Sequence, residues 1–106
     1  MTKVKISSNP PEKPCRCGNW FQHWKNFSHR FITGCPVEGC GKKDLQGIHV
    51  QKLDPNDTEI YIVPLCKEHA ESKAELNILE ATKLVSADLK KTCGEGFMTY
   101  IDAPVL

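Results

Sequence analysis

The chain has no long hydrophobic run. No segment approaches the roughly 20 consecutive apolar residues that span a bilayer, so no membrane partner is expected. The opening MTKVKISSNPPEKP has no apolar stretch of the secretory kind, and the expectation is a cytoplasmic protein. Net charge is only +1, too little to mark an anionic partner by itself. No internal repeat and no low-complexity block is present, which argues against solenoids and arrays. At 106 residues the chain holds one domain with a modest core, and domains this small often depend on a metal or on disulfides.

What the chain does have is cysteine and histidine. Six Cys would suit a disulfide scaffold in a secreted protein. In a reducing compartment, closely spaced Cys with interleaved His read instead as metal ligands. Cys35 and Cys40 close the segment GCPVEGC, and Cys66 and His69 lie in PLCKEH. Structural zinc takes four Cys or His ligands in a tetrahedron, usually supplied as two local pairs. Pro36 and Gly39 between the first pair suit a tight loop. The second pair opens a segment rich in helix formers, CKEHAESKAEL, where positions i and i+3 share a face. Between the pairs, LQGIHVQKL and EIYIVPL are β-branched and apolar, and the turn-rich DPNDT divides them. The order is therefore knuckle, β-hairpin, helix, with one Zn²⁺ on Cys35, Cys40, Cys66 and His69. The plainer reading of these Cys is that they are small buried hydrophobes.

Residues 1–14 carry three Pro, two Ser and scattered charge, and they read as a flexible N-terminal arm. Residues 15–106 read as a single zinc-binding domain. After CRCG, Asn19 is a helix N-cap candidate, and Trp20, Trp24, Phe27 and Phe31 follow at i, i+4, i+7 and i+11. That stripe predicts a helix with a buried aromatic face; the alternative is an exposed set, flanked by Lys25 and Arg30, that stacks on nucleic-acid bases. The segment after residue 76 is open between a second helix and short strands at NILE and KLVS followed by a helical turn at ADLKK.

A second divalent metal is a further expectation. Cys15 and Cys17 form a C-x-C pair that would need partners from elsewhere, with His23, His49 and Cys93 available. The plainer reading is a reduced structural pair, with His23 and His29 as packed or surface residues. Charge is uneven as well. Residues 1–43 hold eight Lys or Arg against two Glu, whereas residues 44–106 hold six against eleven acidic groups. A solvated surface accounts for this, and so does an anionic partner near the N-terminal half.

Residues 35–75, through the Cys knuckle, the strand bearing IHV and the segment IVPLCKEHAESK, resemble the treble-clef (ββα-metal) zinc fold of HNH endonucleases. The resemblance implies a small α+β zinc-binding domain: zinc knuckle, β-hairpin and helix, preceded by an aromatic helix. It also implies a strand His, at His49, as general base and a loop Asn, at Asn56, to orient it. A helix His would hold the catalytic cation in metal-assisted phosphodiester hydrolysis. This chain departs from the pattern. Ala70 follows the last zinc ligand where the helix His is expected, and Ile48 precedes the base. A catalytic ion would be left with His49 and Asp44, Asp54 or Asp57. The resulting expectation is an HNH-like nucleic-acid or protein binding module with lost or altered nuclease chemistry. The alternatives are an active metal-dependent endonuclease and a purely structural zinc accessory protein that binds another protein.

Overall fold

The computed structural model describes residues 2–7, 17–89 and 92. Strand β1 (Thr2–Ile6) is followed by helix α1 (Trp20–Ser28), strands β2 (Leu45–Lys52) and β3 (Ile60–Cys66), the one-turn helix α2 (Lys67–Ala70), and short strands β4 (Leu76–Ile78) and β5 (Val85–Ser86). The five strands form one antiparallel sheet in the order β4-β1-β2-β3-β5. The result is a small α+β protein.

The hairpin is where the sequence pattern places it. Leu45 pairs with Cys66, Ile48 with Val63, and Gln51 with Ile60, and the turn lies between them. Asp54 and Asp57 shape that turn by accepting the backbone N–H of Asn56 and Glu59 at 2.9 and 3.1 Å. Pro64 has no N–H for a ladder. It is tolerated because β5 pairs only with Tyr61 and Ile62, so β3 is already an edge at Pro64.

Alternation along β3 sends Ile62 and Val63 to opposite faces, and the protein buries both. One cluster joins Val4, Val50, Val63, Leu65, Leu76 and Ile78 with Cys35, Val37 and Cys66 of the knuckle region. The other joins Ile62, Val85 and Ala87 with Trp24 of α1. Helix α1 starts as expected: Asn19 Oδ1 accepts the Gln22 N–H at 2.8 Å. It lies so close to β2 that a Cβ on Gly47 would sit 2.3 Å from the Trp20 carbonyl carbon. Only glycine permits that approach.

Three expectations need correction. The N-terminal arm is not free over its first part. Thr2–Ile6 is an inner strand between β2 and β4, and Val4 is fully buried. Alternation over five residues is a weak signal, and pairing on both edges overrides the polar composition around it. Residues 8–14 lie outside the described residues.

The aromatic stripe also breaks. His29 takes a left-handed conformation (φ 56°) and ends α1, so Phe31 leaves the helical period and is 99% exposed. Trp24 is buried; Trp20 and Phe27 are partly buried. Finally, the helix after Cys66 is one turn rather than three. Leu76 and Ile78 pair with β1 and bury their side chains, which outweighs the helix propensity of ESKAEL. Of the open alternatives beyond residue 76, the strands at Leu76–Ile78 and Val85–Ser86 are the ones formed.

Candidate metal centre

Cys35 and Cys40 are presented by a tight loop. Gly39 and Gly41 adopt φ of 81° and 89°, which lets the chain turn twice between and after the two Cys. The Cys40 N–H donates to Val37 O at 3.0 Å and the Gly41 N–H to Cys35 O at 3.2 Å, which closes the loop. Its outer edge is fastened to β4: the Glu38 N–H donates to Asn77 O and the Leu79 N–H to Pro36 O, at 2.9 and 3.0 Å. Cys66 is the last residue of β3 and the N-cap of α2, so His69 follows one helical turn later. The hairpin register therefore delivers the second pair to the first.

The four donor atoms lie within 4.8 Å of one another. Cys40 Sγ is 3.8 Å from Cys66 Sγ, and His69 Nδ1 is 3.6 Å from Cys35 Sγ and 3.2 Å from Cys66 Sγ. Zinc bonds of about 2.3 Å to sulfur and about 2.0 Å to nitrogen give tetrahedral edges of about 3.8 Å (S–S) and about 3.5 Å (S–N). These three separations are close to the edges of a zinc tetrahedron, the donor set is Cys₃His, and the wider spread, up to 4.8 Å, would close by about 1 Å around an ion. Thiols packed this way are poor hydrogen-bond partners for one another. Burial pushes the Cys35 thiol up to about 11, so a cation beside it would favour its ionised form. Cys40, on the outer side, is lowered by the Lys42 backbone N–H. A Lys42–Glu68 ion pair links the knuckle to α2 across the same site. The cluster can hold a metal ion such as zinc.

His49 is placed differently from its expected role. Its side chain lies against α1, with ring centroid 4.6 Å from that of Trp20, and its Nε2 is buried without a hydrogen-bond partner. Burial, then the nearby His23, lower its basicity. Asn56 is exposed in the hairpin turn and gives His49 no hydrogen bond at Nε2. The structure does not bring these two together. The carboxylates named for a catalytic ion have other tasks. Asp44 Oδ2 accepts the Lys67 N–H at 3.3 Å, Asp54 Oδ1 accepts Asn56 N–H, and Asp57 Oδ2 accepts the Tyr61 hydroxyl at 2.7 Å.

Of the second expected ligand set, Cys17 Sγ lies 3.8 Å from His23 Nδ1, and Cys15 and Cys93 fall outside the described residues. The loop after α1 carries Phe31, the exposed member of the aromatic stripe. Arg30, Phe31, Ile32 and Thr33 border two adjoining grooves, with Lys43 at both and Lys25 at one, and no Asp or Glu among the described lining residues. Among the described residues, no helix is long and apolar enough to cross a membrane. No family model, curated protein or solved structure matches this chain.

Proposed function

We propose that the chain is a zinc-organised, HNH-like treble-clef module that binds single-stranded nucleic acid and has lost nuclease chemistry. The observation that carries this reading is Phe31. It stands 99% exposed between Lys25, Arg30 and Lys43, on grooves that carry no acidic side chain among the described residues. An exposed aromatic ring among cations is the arrangement that stacks a base while neighbouring charges hold the phosphates. The knuckle gives that loop a rigid base, since Gly34 and Cys35 follow directly. Loss of nuclease chemistry is supported by Ala70 at the expected helix ligand, by His49 turned against Trp20, and by the structural hydrogen bonds of Asp44, Asp54 and Asp57.

Fluorescence anisotropy with labelled single-stranded DNA and RNA tests the reading. Three phosphate contacts predict a log–log salt slope of about −2 for single strands. Removing one stacked base contact costs about 1–3 kcal/mol, so Phe31→Ala weakens binding roughly 5- to 150-fold. Unaltered affinity in Phe31→Ala and in a Lys25/Arg30/Lys43→Ser triple variant would overturn the surface, and no binding at low salt would favour a protein partner. The same samples with Mg²⁺, Mn²⁺ or Ni²⁺ should show no cleavage. Cleavage abolished by His49→Ala in a folded variant would restore the nuclease reading.

A further inference from the structure

Phe31 borders both grooves beside α1, and Arg30 and Lys43 border both with it. The grooves are alike in size, about 520 and 480 Å³, within the range of about 300–1,000 Å³ that holds small molecules. They differ in what closes the far side. Trp24, Pro36 and Leu79 wall one, and Phe21, Lys25 and Leu45 wall the other. A side chain common to two adjoining grooves stands on the ridge between them. Because Phe31 is 99% exposed, both faces of its ring are open, one toward each groove.

The charges follow the same division. Arg30 and Lys43 are shared, Lys25 belongs to the second groove alone, and neither groove has an Asp or Glu among its described lining residues. Lys25 Nζ lies 4.5 Å from the centroid of the Phe21 ring, so the second groove ends in a cation held over an aromatic face. Two hollows with apolar walls suit two flat bases, and cations along the ridge and at one end suit the anions that join and flank them. A dinucleotide step has that layout. Parting stacked bases is costly in a duplex and least so in a strand that is already single.

On the reading that this surface binds single-stranded nucleic acid, we infer that its unit of recognition is two successive nucleotides with Phe31 inserted between their bases. One base lies in each groove, and the bridging and flanking phosphates lie on Arg30, Lys43 and Lys25.

Fluorescence anisotropy with strands that are abasic at all other positions separates the bases from the backbone. Two adjacent bases should bind about 5-fold or more tighter than one, the effect of one further stacked base, and two bases held apart by abasic positions should bind like one. Equal affinity for one base and for two adjacent bases, with salt-dependent binding retained, would overturn the insertion and leave the single-strand reading standing. Absence of binding to every strand would overturn both. The exciton circular dichroism of an adjacent pair of aminopurine bases reports their stacking on each other. It should collapse at saturating protein and persist at saturating Phe31→Ala, a change at an exposed side chain that spares the fold. A band unchanged by the protein, or lost equally with Phe31→Ala, would refute the insertion.

Discussion

Replacing Cys66 by serine probes the metal centre at its most buried ligand. Cys66 is 0% exposed, touches both Cys40 and His69, and joins β3 to α2. Serine keeps the shape but offers zinc a poor, protonated ligand. Structural zinc in small finger domains supplies about 10–16 kcal/mol of apparent folding free energy near neutral pH. A domain of 106 residues, at roughly 0.05–0.15 kcal/mol per residue, is stable by about 5–15 kcal/mol in total. The two quantities are of one size, so losing even part of the metal's contribution is visible. A deficit of about 3 kcal/mol lowers Tm by roughly 12–24 °C in a small domain. The cost falls first where the ligands tie the chain together: the Cys35–Cys40 loop, the end of β3 and α2. The outer part of the hairpin has Val50, Ile62 and Val63 to hold it. Differential scanning calorimetry of zinc-loaded and chelated protein, with hydrogen exchange resolved by residue, measures both effects. An unchanged melting temperature in Cys66→Ser, or equal protection of Cys40, Cys66 and His69 amides with and without metal, would refute the assignment.

Two further outcomes follow from packing and from one hydrogen bond. Gly47→Ala places a Cβ within 2.6 Å of three backbone atoms of Trp20 and Phe21, so α1 must move; the expected loss is about 1–3 kcal/mol by denaturant titration, and a neutral result would refute the close packing of α1 on β2. Tyr61 ionises late, near about 12, because burial and its hydrogen bond to Asp57 both disfavour the phenolate. A raised folded value means the unfolded chain releases this proton first, so the contribution to stability is complete below about pH 10 and is lost as pH rises toward 12. Ultraviolet titration should show Tyr61 ionising late and moving only part of the way down in Asp57→Asn, because burial remains, and a Tyr61 that titrates near 10 in the folded protein would contradict it.

Local pattern was enough for some of this protein. Short paired spacings, Cys35 with Cys40 and Cys66 with His69, define a ligand set without reference to anything distant. The β-branched runs around DPNDT define a hairpin because strand period and turn chemistry are properties of adjacent residues. Asn19 as N-cap is equally local. The rest depended on partners far along the chain. Thr2–Ile6 is a strand because β2 and β4 occupy both its edges, and ESKAEL stops being helix because Leu76 and Ile78 bury against Val4. Phe31 leaves the core because one residue, His29, takes a left-handed conformation that its type permits without demanding. The candidate sites divide in the same way. Spacing alone groups Cys35, Cys40, Cys66 and His69. The meeting of Cys17 and His23 with Ser86, and the turn of His49 onto Trp20, arise from packing α1 across the sheet, because contacts over dozens of residues leave no period in the sequence.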